Sequence, residues 1–342
     1  MAEVIELSNG FHDQPEGVAY PLPTEEVGVG YPMPVEEKGK PFPLPVEEEG
    51  QTFPTAPISI PLAKQGVVKV TPYMTESLDK VALAEGFKNY DTKIDHGSAI
   101  GDGFVGILLK ATIKEIDNDK QLTVVIKSPP ESQARRQDLG AMQLFRREVF
   151  VYSQMFPEFV KFQEEMKIGK SYGFFDFPKC YFAEYNEEKD DAIIIMEDLR
   201  ESGHKMWNKF LPVNYEHTKL VIIALGKFHA ISFAMKELQP EMFEKYRQLD
   251  DFMSTKFDET HFLDMITKNI EQAADTLDPA DVKRRNRVLM LKVGMGQMMK
   301  ELISPERCEP FGVVTHGDCW SNNFMFHYKV VIISRLLLVT EK

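Results

Sequence analysis

Val313-Val314-Thr315-His316-Gly317-Asp318-Cys319-Trp320-Ser321-Asn322-Asn323-Phe324-Met325-Phe326 decides how the rest of the chain reads. An apolar stretch runs into His316-Gly317-Asp318, Asn323 follows the aspartate by five positions, and a second apolar stretch starts at Phe324. Gly317 gives the backbone freedom between His316 and Asp318. Phosphoryl transfer asks few groups of a protein: a carboxylate to accept or orient a hydroxyl, and oxygen ligands for Mg²⁺. A loop with Asp and Asn at this separation can present both to one phosphate. A lone Asp or Asn in a loop is ordinarily a turn former. The weight therefore rests on the whole string, flanked by apolar strands and lying after a helical region.

The string resembles the His-Gly-Asp-x-x-x-x-Asn loop of aminoglycoside phosphotransferases and choline kinases. Its Trp320-x-x-Asn323 form is similar to the ecdysteroid-kinase-like (CHK kinase-like) family. The resemblance implies Asp318 as catalytic base, Asn323 as a Mg²⁺ ligand and His316 as a brace for the loop. It implies ATP as phosphate donor and a small hydroxylated molecule as acceptor, a steroid among the candidates. The fold it implies is α+β and two-lobed, like a protein kinase: a β-rich N-lobe over 67–198, then a helical C-lobe over 199–342 that carries the loop 313–326.

Other segments occur in the matching order. Val124-Val125-Ile126-Lys127 ends an apolar strand in a lysine, which can reach ATP phosphates as a fixed positive charge; an isolated VVIK would more simply cap an exposed strand end. Glu148 lies twenty-one residues on, in a helical pattern over Ala141–Met155. In the family the equivalent glutamate pairs with the lysine, whereas alone it reads as a solvated helix face beside Arg146 and Arg147. Gly97-Ser98-Ala99-Ile100-Gly101-Asp102-Gly103-Phe104 resembles the family's nucleotide-covering loop, with Gly101 and Gly103 against the phosphates; by itself it is equally a hairpin turn. Ile193–Leu199 resembles the strand-to-hinge segment, whose backbone near Glu197 and Leu199 would hold the adenine edge. The side chains of Glu197 and Asp198 serve equally well as surface charges. Leu225-Gly226-Lys227-Phe228-His229-Ala230 is similar to a helix of the family, with His229 read as packing rather than catalysis.

Around this frame, strands are expected over Gly106–Ile113, Leu122–Lys127 and Ala192–Glu197, the first two as a hairpin. Helices are expected near Thr75–Glu85 and over Tyr215–Leu238, Glu241–Phe252, Thr260–Leu277 and Asp278–Leu302. Pro279 is placed in the first turn of the last. Met290, Met295, Met298 and Met299 read as core or groove wall. Strands first and helices later make two lobes of an α+β protein.

Residues 1–66 differ in kind. An eleven-residue unit recurs at Tyr20-Pro21-Leu22-Pro23, Tyr31-Pro32-Met33-Pro34 and Phe42-Pro43-Leu44-Pro45, each followed two residues later by a glutamate pair. Alternate prolines favour an extended, left-handed backbone, and the acids stay solvated, so the segment is expected to be a disordered tail. A sharper expectation is a ligand for a proline-recognising partner. The tail holds eleven acids against Lys38, Lys40 and Lys64, a charge of −8 out of −13 for the whole chain. The acidic balance argues against nucleic-acid and anionic-membrane partners. Three cysteines without metal-ligand spacing, and a start lacking a basic and apolar leader, point to a cytoplasmic protein.

One departure stands out. The family continues from the asparagine through a hairpin to an aspartate in an Asp-Phe-Gly-like position that would bind Mg²⁺, but Glu341 is the only acid after Asp318 here. The C-lobe is thus expected to be C-terminally truncated and phosphoryl transfer impaired. The alternative is a catalytically inactive pseudokinase that binds a ligand on the same fold. A protein kinase ranks below both, because the loop reads His-Gly-Asp and no activation-loop signature follows.

Overall fold

The apolar run Ala192–Met196 becomes the strand on which both cores meet. In the computed structural model, which describes residues 69–97, 106–138, 140–209, 211–249, 252–329 and 332–338, five antiparallel strands form one sheet: β1 (Tyr90–His96), β2 (Ile107–Glu115), β3 (Gln121–Ser128), β4 (Cys180–Asn186) and β5 (Asp191–Glu197). Their order is β1-β2-β3-β5-β4. Successive side chains of a strand point to opposite faces. Ile193 and Ile195 accordingly join Leu109, Ile113 and Ile126 in a core under helix α1 (Pro72–Ala84), while Ala192, Ile194 and Met196 enter the other core. With both faces covered, β5 is continuously apolar rather than alternating. β1 and β4 were not anticipated. β1, YDTKIDH, is an edge strand with five exposed positions, and β4 is half-buried throughout, so neither alternates clearly.

α1 begins three residues earlier than the expected Thr75. Thr71 caps it by accepting from the Met74 N–H (3.2 Å), and Pro72 takes the first turn. The expected helix 141–155 is longer and interrupted. After the short helix α2 (Gln133–Asp138), α3 (Ala141–Phe150) passes into a π-turn over Val151–Met155 and continues as α4 (Phe156–Glu165). Pro157 cannot donate, and its ring crowds the carbonyl four residues back. The Phe156 N–H bonds instead to the Val151 carbonyl, five residues back.

The helical part opens with α5 (Tyr215–Leu238), whose bounds match expectation. Ala224, Phe228, Ile231 and Met235 form its buried stripe. By length and composition α5 alone among the described helices could cross a membrane; here that stripe packs into the core with α4. Helices α6 (Pro240–Arg247), α7 (Phe252–Lys256), α8 (Thr260–Asp275), α9 (Val282–Met290), α10 (Met295–Ile303) and α11 (Pro305–Cys308) follow. The expected helix 278–302 is two helices. Asp281 caps α9 by accepting from the Arg284 N–H, leaving Pro279 outside, and Gly294 at φ 73° breaks the chain before α10. Neither α9 nor α10 buries a residue, and Met290 and Met298 are exposed, so they are not core.

A second sheet, in the order β6-β7-β8, joins β6 (His204–Met206), β7 (Phe324–Lys329) and β8 (Ile332–Leu338). Phe324 pairs with Leu338, so the open end of the hairpin lies beside Asn323. The larger core runs from β5 through Phe145, Phe156, Phe159 and Phe174 to Phe228 on α5 and Phe324 and Phe326 on β7. One packed body thereby positions β3, α3 and the 313–323 loop together. The tail 1–66 and the glycines 101 and 103 lie outside the described residues.

Candidate active site

Lys127 sits near the end of β3 on the face turned toward α3. Glu148 lies on α3 beside Phe145 and Val149, which anchor the helix to the sheet, and Leu144, which packs on Phe252. Lys127 Nζ donates to Glu148 Oε1 at 2.7 Å, and both residues are buried, at 3% and 8% exposure. The Phe145 ring lies 5.8 Å from the ammonium. Burying either charge alone would cost several kcal/mol of lost hydration, roughly, and the pair offsets that through its contact. Glu148 is therefore not a solvated helix face, and Lys127 is not a strand-end cap.

The 313–323 loop is held from α5. Lys236 Nζ donates to Glu309 Oε2 (2.9 Å) and to the carbonyls of Pro310 (2.6 Å) and Gly312 (2.9 Å). Ser232 Oγ accepts from the Val314 N–H at 3.1 Å. Gly317 then turns at φ 80°, in the left-handed region. His316 Nδ1 accepts from the Asp318 N–H at 3.3 Å. A single 3₁₀ turn over Ser321–Asn323 brings the asparagine back onto the aspartate. Asn323 Nδ2 donates to the Asp318 carbonyl (2.8 Å) and to Asp318 Oδ2 (3.0 Å). Asn323 is fully buried while Asp318 is half-exposed, so the carboxylate is the member that can meet a substrate. Burial, and after it the Asp318 charge, raises the Cys319 thiol.

Glu148 and the loop share one space. A cavity of about 90 Å³ is lined by Glu148 from α3, by Thr315, His316 and Asp318 from the loop, and by an aromatic floor that includes Phe156, Phe174 and Phe228. Glu148 and the loop thus meet at one cavity, and Lys127 stands behind Glu148 through their 2.7 Å contact.

At the hinge, Glu197 ends β5, its N–H donating to the Lys179 carbonyl (2.8 Å) and its side chain accepting from the Lys179 N–H (3.2 Å). The Leu199 carbonyl accepts from the His204 N–H and the Ser202 hydroxyl, each at 3.0 Å. Asp198 is not a surface charge: it is 2% exposed and gripped by Arg200. His229 is half-buried beside Phe228, and burial lowers its pKa, in keeping with packing rather than catalysis.

Asp198, Arg200, Ser232 and Lys236 were missed by sequence reasoning. Only Asp198-x-Arg200 carried a local signal, an acid and a base two residues apart.

The model of the ecdysteroid kinase-like family matches residues 100–336, spanning β2 to β8 and including Lys127, Glu148, Asp318 and Asn323. The chain belongs to the ecdysteroid kinase-like family. No curated protein and no solved structure matches it. Membership agrees with the α+β architecture of an antiparallel sheet followed by helices, and it makes the protein kinase-like, of the class of small-molecule phosphotransferases.

Proposed function

We propose that this ecdysteroid kinase-like protein binds ATP with Mg²⁺ and moves the γ-phosphate to the hydroxyl of a small alcohol, a steroid among the candidates. The observation that carries it is the cavity lined by both Glu148 and Asp318: Glu148 holds the buried Lys127 ammonium, and Asn323 and His316 hold the half-exposed Asp318. Lys127 would hold phosphate oxygens, its position set by the 2.7 Å contact to Glu148. Asp318 would accept or orient the acceptor's proton, and His316 fixes the backbone on which it sits.

The donor set fits a phosphate-bound Mg²⁺. Among the described residues no cluster of three or more His, Cys, Asp or Glu side chains can cage a metal. Mg²⁺ takes one or two protein ligands and completes its shell with phosphate oxygens and water. Asp318 and Asn323 can supply those ligands: the Asn323 amide nitrogen is committed to Asp318, so its oxygen would face the cation. When bound, the ion would neutralise charge on the transferring phosphate. At the hinge, the Glu197 N–H and the Leu199 carbonyl serve the fold, so an adenine held at Leu199 would meet its N–H.

A second reading rests on the hairpin. No Asp or Glu occurs from 324 to 338, so β7 and β8 add no carboxylate, and the protein would then bind nucleotide without transferring phosphate. The two readings part in one assay. The purified chain is incubated with Mg²⁺, γ-labelled ATP and a panel of hydroxylated small molecules, beside Asp318→Asn. Labelled product from the parent, falling at least about a hundredfold in the variant, supports transfer. Mg²⁺-dependent binding without product supports the second reading, and no binding at all refutes both. We also propose that the Tyr/Phe-Pro repeats of the tail engage a proline-recognising partner.

A further inference from the structure

The buried stripe of α5 accounts for only one of its faces. Ala224, Phe228, Ile231 and Met235 turn to the core. On the opposite side, also at helical spacing, Lys219, Ile223, Gly226, Ala230, Phe233 and Glu237 are all exposed. Ile222, 62% exposed, widens this second stripe beside Ile223 at 46% and Phe233 at 38%. Between the lysine and the glutamate the stripe is wholly apolar. Apolar side chains scattered singly over a surface are ordinary, but a contiguous run along one face marks an interaction site.

Gly226 is the second observation. It sits mid-helix, where glycine is less favourable than alanine because its backbone loses more freedom. No contact within the chain calls for it: a methyl group there would meet no atom within 4 Å. On α10 the contrast is plain, because the same group at Gly296 would come within 3.1 Å of the Phe257 carbonyl. Gly226 therefore leaves a notch that opens outward. Ala230, one turn on, extends it, so that a second helix backbone can approach closely between Ile223 and Phe233.

The stripe is complementary to itself. Positions 219 and 237, 223 and 233, and 226 and 230 are symmetrical about 228. An antiparallel copy of α5 crossing at that point sets Lys219 against the partner's Glu237. It sets Ile223 against the partner's Phe233 and Gly226 against the partner's Ala230, and a two-fold axis makes each contact twice. Lys219 and Glu237 stand about 27 Å apart along their own helix, too far to pair within it. A parallel copy would instead bring lysine to lysine and glutamate to glutamate, so the charges select the antiparallel arrangement.

We propose that the exposed face of α5 is a dimer interface whose partner is a second copy of this chain, laid antiparallel. A contact about 27 Å long and one helix wide lies at the low end of specific interfaces, so the dimer is weak and reversible, with a Kd of about 1–50 μM. The inference is independent of the nucleotide site proposed above. A bilayer surface is the poorer fit, because a helix lying on a membrane carries basic residues along its polar margin, and this stripe ends in one cation and one anion.

Sedimentation equilibrium of the full chain over about 1–200 μM measures the dimer Kd. Gly226→Leu fills the notch and should raise that Kd at least about tenfold. Its melting temperature should not fall, because leucine is the better helix former and the position is open. Lys219→Glu and Glu237→Lys each set like charges face to face and should each raise the Kd at least about fivefold. K219E/E237K restores opposite charges across the two-fold and should return the Kd to within about twofold of the parent, a rescue that no partner other than a second copy would give. A parent that stays monomeric throughout would overturn the proposal. So would a dimer that Gly226→Leu shifts by less than about twofold, or charge variants that the double swap does not rescue. A monomeric parent that floats with phosphatidylcholine–phosphatidylserine vesicles would overturn it in favour of a membrane-facing stripe.

Discussion

Replacing Lys127 or Glu148 singly should damage the fold more than replacing both. The pair is close, at 2.7 Å, and the side chains are 4% and 7% exposed. Lys127→Met leaves a carboxylate facing the apolar side of α3, and Glu148→Leu leaves an ammonium beside Phe145. Each single substitution takes the close opposite charge from a buried ionised group, at a cost of about 3 kcal/mol or more. With a urea slope of about 3 kcal/mol per molar, the unfolding midpoint should fall by about 1 M in each. The double variant fills the same volume with two apolar side chains and should recover to within about 1 kcal/mol of the parent. The coupling energy of the cycle would then be at least about 5 kcal/mol in magnitude. Nucleotide affinity should behave differently and be lost in all three variants, because each removes the ordered cation or its holder. Urea titrations followed by circular dichroism give the stabilities, and a fluorescent ATP analogue gives the affinities. Singles that cost under about 1 kcal/mol, or that add in the double, would refute a coupled buried pair. Recovered ATP binding in the double would refute the phosphate role of Lys127.

Two further outcomes follow from the core and its histidines. Phe159 is fully buried, its ring 5.8 Å from Phe228 and 5.9 Å from Tyr246, so Phe159→Ala should cost about 3–5 kcal/mol in urea unfolding; a loss under about 1 kcal/mol would contradict the packing. His217 and His229 are both lowered by burial from 6.5, so the folded state resists protons that the unfolded chain accepts. Their contribution to stability is complete above pH 6.5 and declines as pH falls below it, and His217→Gln/His229→Gln should flatten that decline in melting temperature. An unchanged slope between the variant and the parent would remove the histidines as its cause.

Local chemistry made much of the site legible in the sequence. The spacing from Asp318 to Asn323 became a 3₁₀ turn with a side-chain bond, and the order of Lys127 and Glu148 became an ion pair. α5 was bounded to the residue, because Asn214 caps its start and its apolar stripe repeats at helical spacing. The helical pattern expected over Ala141–Met155 stopped short of the structure, where a π-turn carries the helix past Pro157. A surface charge stayed open for Asp198, because nothing nearby in sequence says that Lys110 of β2 comes within 4.0 Å of it. Lys236 reaches carbonyls 74 and 76 residues away, and Arg200 reaches a carbonyl 103 residues back. Periodicity and capping act over one or two turns of chain, so sequence determines which groups a segment can offer. Which of them meet across the cleft is decided only when the two cores pack and burial forces each polar group to find its partner.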